Sequence, residues 1–313
     1  MRYRPLGHSG LQVSVVGLGC NNFGGRLDLD GTREVVDAAL EAGITLFDTA
    51  DVYGKGGSED LLGQVLTGRR DQVVLATKFG GDMGYGAAAG ARGGRAYIRR
   101  AVEESLRRLR TDYIDLYQIH VPDWHTPIAE TLSALDELVK EGKIRYAGHS
   151  NFRGWQIAEA AHVARELGVA PFVSAQNHWS LLERGAEAEV VPASRHYGVG
   201  VLPYFPLANG LLTGKVRRGQ PVPSNSRLAA REGYVTDDKL DRVEALIAWG
   251  AEHEGRSLLE IAFGALAAQP GCGSVIAGAM SAEQVKANAA AGEWEPTAAE
   301  LAEIDAIVPP PGR

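Results

Sequence analysis

The chain has 313 residues, 45% of them hydrophobic and 23% charged, with a formal net charge of −7. That is ample for a sizeable core, and barrel folds of this size form one domain. The mild acidity argues against nucleic acid or an anionic membrane as the main partner.

Two cysteines, Cys20 and Cys272, are too few for a disulfide framework and have no metal-like spacing. The N-terminus has no apolar signal core, and no apolar run is long enough to span a bilayer. The expectation is a soluble cytoplasmic protein whose oligomeric state stays open.

Residues 2–13 read as a small hairpin turning at His8-Ser9-Gly10. Val15 to Gly19 reads as a first buried strand leading into Cys20-Asn21-Asn22. Strand and helix then alternate. Helices are expected near 31–42, 58–67, 95–109, 127–141, 153–167, 187–197, 238–254 and 282–290. Apolar strand-like runs lie near 44–48, 72–77, 112–119, 143–148, 171–176, 199–204 and 273–277. With the run at 15–19 this is a βα unit repeated about eight times, enough to close a (β/α)8 TIM barrel. The expected architecture is one α/β barrel domain over 1–313, with an N-terminal β-hairpin and an extra C-terminal helix near 297–307.

Local signals agree. Thr126-Pro127 reads as an N-cap followed by a first-turn proline. Ser281 to Gln284 and Thr297 to Glu300 read as capping boxes. Two connections break the rhythm: Phe79 to Gly94, rich in Gly and Ala, and Phe205 to Thr236, which carries four arginines beyond Lys215. Both follow strands, so both are expected at the barrel mouth as substrate and cofactor loops. The arginines of the helix near 95–109 are interleaved with Glu103 and Glu104 and read as a solvated face.

Three successive strands place ionisable groups at the same end. The run Gly43 to Phe47 delivers Asp48, with Tyr53 on the loop beyond; the next ends in Lys78, and the next in His120. Taken singly, each of these residues has a plain role in packing, capping or surface charge. Together they form a pocket with a chemistry. An ammonium near a phenol lowers the phenol's pKa from its usual value of about 10. Asp48 supplies the anion a buried Lys78 needs. The expected result is a Tyr53 tuned toward neutral pH, exchanging a proton with a carbonyl or alcohol oxygen that His120 orients. No side chain carries hydride, so a nicotinamide cofactor is required.

The stretches Phe47-Asp48-Thr49-Ala50, Tyr53-Gly54, Ala76-Thr77-Lys78 and Tyr117-Gln118-Ile119-His120 resemble the aldo-keto reductase superfamily. So do Gly148 to Phe152, Gln176-Asn177, Tyr204 to Leu207 and Gly210 to Lys215, in order along nearly the whole chain. The likeness is to a bacterial member of the branch that includes the potassium-channel β-subunit-like reductases. It implies a (β/α)8 barrel holding NADP(H) in an extended pose, a tetrad of Asp48, Tyr53, Lys78 and His120, and Tyr53 as general acid. Its carboxamide contacts map to Ser150, Asn151 and Gln176, and its nicotinamide-stacking position to Tyr204. The rest of the implied cofactor wall comprises Gly19, Cys20 and Asn21; Phe205, Pro206, Leu207, Gly210, Leu211, Lys215 and Arg227; and Gly278, Ala279, Met280, Gln284 and Asn288. There is no Gly-x-Gly-x-x-Gly for a Rossmann site; a phosphate fits instead at the helix opened by Ser281.

One departure is that Gly278, Met280 and Gln284 stand where many NADP-preferring relatives carry Lys or Arg. Lys215 and Arg227 resemble positions that reach the same phosphates. NADP(H) is favoured and NAD(H) is possible, with a small carbonyl or alcohol as substrate. Substrate selection is expected from Asn21, Asn22, Trp124 and the two long loops. The rival readings are an NAD-linked sugar or alcohol dehydrogenase and a cofactor-binding regulatory subunit with little turnover. A metal-dependent barrel hydrolase would need more than His120, His125 and His149.

Overall fold

The apolar runs become strands that pair in chain order. The computed structural model describes residues 1–222, 226, 228, 229, 231 and 233–312. A hairpin of β1 (Tyr3–Pro5) and β2 (Gln12–Ser14) precedes the barrel strands β3 (Val16–Gly19), β4 (Leu46–Asp48), β5 (Val74–Phe79) and β6 (Ile114–Ile119). These continue through β7 (Ile144–Ser150), β8 (Phe172–His178), β9 (Gly200–Tyr204) and β10 (Val275–Gly278). The eight barrel strands are parallel in the order β10-β3-β4-β5-β6-β7-β8-β9. Backbone bonds from Val201 to Gly271 and from Gly273 to Val201 bring the last two toward closure. This is the expected (β/α)8 TIM barrel with its N-terminal hairpin.

Parallel strands covered on both faces read as continuous apolar runs, and every residue of β6 is buried. Around them lie α1 (Leu29–Glu41), α2 (Gly57–Val65), α3 (Arg95–Leu109), α4 (Ile128–Lys140) and α5 (Gly154–Leu167). Then come α6 (Val190–Tyr197), α7 (Asp237–Glu252), α8 (Leu258–Ala267), α9 (Ala282–Ala291) and the extra α10 (Ala298–Ile307). In α3 the stripe Tyr97, Ile98, Ala101, Val102, Ser105, Leu106 and Leu109 is buried, and most of its arginines face outward, as its 3.6-residue period requires. The hairpin's Leu6, Leu11 and Val13 pack with Leu46, Ala76, Leu116, Leu202 and Ile276 inside the barrel, so the hairpin plugs the end opposite the strand C-termini.

Several local expectations are corrected. Helix α8 falls in a stretch for which no element was expected. It is apolar nearly all round, because it lies between the barrel and α7, and so shows no amphipathic period. Thr126 does not cap α4: its hydroxyl donates to Asp123 at 2.8 Å, and Pro127 itself occupies the cap position. At α9 only half a capping box forms. Ser281 accepts from the Gln284 N–H, but the Gln284 side chain accepts from Met280 N–H at 2.9 Å. Thr297 and Glu300 form the full box.

Candidate active site

The strand register sets the floor of the mouth. Asp48 ends β4 opposite Ala76, Lys78 on β5 lies opposite Gln118, and His120 follows β6 by one residue. Tyr53 opens a 3-10 turn, Tyr53–Gly56. The turn bends back at Gly54 (φ 57), where a Cβ would lie 3.0 Å from the Gly24 carbonyl, so a side chain there would push the phenol off its position.

These four side chains converge. Lys78 is fully buried and donates to Asp48 Oδ2 at 2.7 Å, to the Thr49 carbonyl at 2.9 Å and to the Tyr53 hydroxyl at 3.5 Å. His120 meets the Tyr53 ring edge-on, with centroids 5.8 Å apart. Burial opposes the Lys78 charge, but Asp48 and then Tyr53 hold its pKa above the usual lysine value.

The phenol departs from expectation. Burial raises the Tyr53 pKa and outweighs the lowering by Lys78, because Asp48 sits closer to the ammonium than the phenol does and absorbs much of its field. Tyr53 therefore carries its proton at neutral pH. His120 is pushed down to about 3, by burial first and Lys78 second, and is a neutral imidazole.

Asp48 is held from the far side as well. Its Oδ1 accepts from Gln176 Nε2 at 2.9 Å and from Gln118 Nε2 at 3.4 Å, and Gln118 in turn accepts from Ser174. The amide of Gln176 thus points at Asp48 and leaves its Oε1 as the free end. Ser150 Oγ donates to the Gln176 carbonyl and accepts from Asn151 Nδ2. Asn151, in the left-handed region at φ 62, also donates to the His120 carbonyl and accepts from the Tyr204 hydroxyl at 2.8 Å. Tyr204 stacks on His178, 5.4 Å apart at 8°, which fixes its ring.

One cavity of about 860 Å3 runs along the mouth, toward the upper end of the ~300–1,000 Å3 range of small-molecule and cofactor sites. Asp48, Tyr53 and His120 line it near Ser150, Asn151, Gln176 and Tyr204. Gly19, Cys20 and Asn21 form the β3 side; Phe205, Pro206, Leu207, Gly210 and Lys215 come from the long connection after β9. Gly278, Met280, Gln284 and Asn288 come from β10 and α9.

Two expected contacts do not face it. Leu211 turns into the core against α7 and α8, and Ala279 is buried with its carbonyl accepting from Asn22 Nδ2 at 3.0 Å. Arg227 lies outside the described residues. The connection from Phe79 to Gly94 contributes nothing to this cavity among the described residues. It is drawn over α3 and α4 instead, with Gly81 accepting from Tyr97 and Gly93 donating to Asp123.

Arg26 lines the cavity and was missed, as were Thr213 and Leu259. Its signal was a lone cation in the loop directly after β3, six residues past Cys20. Among the described residues Arg26 and Lys215 are in no ion pair, and both are exposed cations in the cavity lining. Gly278 keeps the cavity open: a Cβ there would lie 3.2 Å from Asn21 Oδ1 and 3.4 Å from Asn22 Nδ2. His149 is stacked on Phe152 inside the core, and among the described residues no group of three His, Cys, Asp or Glu could hold a metal ion. No helix among them is long and apolar enough to cross a membrane.

A (β/α)8 barrel whose ionisable side chains gather at the C-terminal ends of its strands, around a long cleft, has the layout of a barrel enzyme. The aldo/keto reductase family model matches residues 15–309, and the chain belongs to that family. With the family comes the general function of an oxidoreductase, and aldo/keto reductases use NAD(P)H. The chain is 41% identical over 251 residues to the uncharacterized oxidoreductase YrpG of Bacillus subtilis (strain 168), covering 77% of this chain and 76% of that one. It is 36% identical over 289 residues to the uncharacterized oxidoreductase YqkF of the same organism, covering 92% and 90%. It is 35% identical over 301 residues to a probable voltage-gated potassium channel subunit beta of Oryza sativa subsp. japonica, again covering 92% and 90%.

Proposed function

We propose that the chain interconverts an aldehyde or ketone and the corresponding alcohol, with Tyr53 as the proton donor and NADP(H) favoured over NAD(H). The observation that carries this reading is the buried chain Asp48–Lys78–Tyr53, with links of 2.7 and 3.5 Å, opening onto a single long cavity beside His120.

The cavity fits a nicotinamide dinucleotide in its chemistry. The lining offers the Gln176 Oε1, the Ser150 hydroxyl and the flat face of Tyr204, suited to a carboxamide on an aromatic ring. It also offers Arg26 and Lys215, suited to phosphates. Both cations come from loops, while Gly278, Met280 and Gln284 carry no charge, so charge for a 2′-phosphate comes from the loops and not from α9. When bound, the nicotinamide supplies or accepts the hydride.

The chain's own residues do the rest. The protonated Tyr53 donates to the substrate oxygen as negative charge develops there. Lys78 stabilises the phenolate left behind, and Asp48 keeps Lys78 charged and fixed. Neutral His120 offers an N–H to the same oxygen and orients it. Reversing these proton positions serves alcohol oxidation.

The test is to titrate NADPH and NADH against the intrinsic fluorescence of the purified protein, then follow loss of reduced-nicotinamide absorbance with a panel of aldehydes and ketones. Saturable binding with carbonyl-dependent oxidation supports the proposal; failure to bind either dinucleotide refutes it. The likeness to a probable potassium channel subunit beta favours a second reading, a cofactor-binding regulatory subunit. Tight binding with no turnover across the panel would select that one.

A further inference from the structure

A second cavity opens beside the first. It holds about 310 Å3, at the lower end of the ~300–1,000 Å3 range of small-molecule sites. Asn151 and Tyr204 line both cavities, and the 2.8 Å bond from the Tyr204 hydroxyl to Asn151 joins them into a shared wall. The proton chemistry at Tyr53 makes no use of the second cavity.

That cavity is lined by polar groups with nothing to bind. Asn177 is buried, and its Nδ2 donates to the Phe152 carbonyl at 3.1 Å, which fixes the amide. Among the described residues its Oδ1 has no partner, and neither has the buried Nε2 of His178 in the same lining. A buried acceptor left without a donor opposes folding unless a ligand or water meets it. Arg153 and Glu189 line the cavity with opposite charges, yet among the described residues neither is in an ion pair. Glu183, the other carboxylate there, is taken by Lys239 at 2.6 Å.

Two helix starts meet at this point. Arg153 is the N-cap of α5 and Glu189 the N-cap of α6. They approach so closely that a Cβ on Gly154 would lie 2.9 Å from the Glu189 carbonyl oxygen. First-turn N–H groups have no partner inside a helix and carry partial positive charge. With Arg153 they suit a carboxylate. Asn177 Oδ1 and Glu189 are acceptors and suit an ammonium. A simple carboxylate would leave those two acceptors unmet, and a simple amine would leave Arg153 unmet, so a ligand bearing both charges is the better occupant. Ala186 and Val190, both buried, add apolar surface for a short side chain.

We propose that the second cavity is an effector site for a small aliphatic α-amino acid. Its carboxylate lies at Arg153 and the start of α5, its ammonium at Asn177 and Glu189, and its side chain on Ala186 and Val190. A ligand seated there steadies Asn151 and Tyr204 from behind and raises the affinity for dinucleotide on the other side of the wall. The site stands apart from the reductase reading above; only the coupling rests on it.

The experiment is calorimetry on the full chain without dinucleotide, using L-valine, 3-methylbutanoate and isobutylamine. The last two keep the branched chain and lack the ammonium or the carboxylate. L-Valine should bind, and each of the others should bind at least about tenfold more weakly. Arg153→Gln and Glu189→Gln change exposed side chains and should fold as wild type does; each should weaken L-valine about tenfold. Absence of L-valine binding, equal binding of all three compounds, or wild-type affinity in both variants overturns the site. NADPH titrated by intrinsic fluorescence should bind about fivefold tighter in saturating L-valine. An unchanged or weakened affinity overturns the coupling. Failure of NADPH to bind at all counts against the reductase reading instead, and the calorimetry still decides the site.

Discussion

Asp51→Asn should make the protein more stable at high pH and flatten its stability profile. Asp51 lies between Asp48 and Tyr53 in the sequence but turns away from the cavity. It is fully buried, and neither carboxylate oxygen has a hydrogen bond of good geometry, although the Val52 N–H favours the ionised form slightly. Glu59 stands nearby, already bonded to Thr77 at 2.6 Å and to Arg108 at 2.7 Å. Two carboxylates share one guanidinium, and the nearby Tyr85, Tyr97 and Tyr117 bring no positive charge. Lys78, the other cation that acts on Asp51, is committed to Asp48. Burial first and Glu59 second raise the Asp51 pKa from 3.8 to about 7.

A folded-state pKa above the unfolded one means the ionised form opposes folding. The penalty is absent below the unfolded value, grows as pH rises toward about 7 and is constant above it, reaching about 4 kcal/mol. Asparagine has the same shape and does not titrate. Its unpaired amide costs about 1–3 kcal/mol, equally at every pH. The stability difference, variant minus wild type, should therefore rise by about 2–3 kcal/mol between about pH 5 and pH 8. Urea denaturation of both proteins across that range measures it, as a shift in midpoint at constant slope. Parallel pH profiles would refute the reasoning.

Other consequences follow from the same geometry. Lys78→Met strands the buried Asp48 charge and should cost about 3–5 kcal/mol in urea denaturation besides abolishing turnover; wild-type stability would show that the pair is not structural. Arg26→Ala should weaken reduced dinucleotide about tenfold in fluorescence titration, with a shallower dependence on salt than wild type; an unchanged dissociation constant would remove Arg26 from the phosphates. His120, with its pKa near 3, should give kcat/KM no inflection near pH 6.5; one that disappears in His120→Ala would contradict its neutral state.

The barrel is legible in the sequence because parallel strands covered on both faces leave short, continuous apolar runs with a ligand-bearing residue at the end. Asp48, Lys78 and His120 could be placed together on that pattern alone. Helix α8 hides because burial all round erases the polar face that marks a helix. Leu211 and Ala279 sit in irregular turns with no period to say which way a side chain points, and both turn inward. The raised Tyr53 pKa is a balance of burial against the Asp48–Lys78 pair, which depends on distances no spacing contains. Arg26 escaped notice because one exposed arginine in a glycine-flanked loop looks like any surface charge until β10 and α9 are folded beside it.

The most direct test of the mechanism is Tyr53→Phe, assayed for kcat and for NADPH affinity on one preparation. Loss of the phenolic proton should lower kcat by at least about 10²-fold while the dinucleotide binds as before. Turnover at the wild-type rate would mean that the proton reaches the substrate from somewhere else, and the assignment built on the Asp48–Lys78–Tyr53 chain would be wrong.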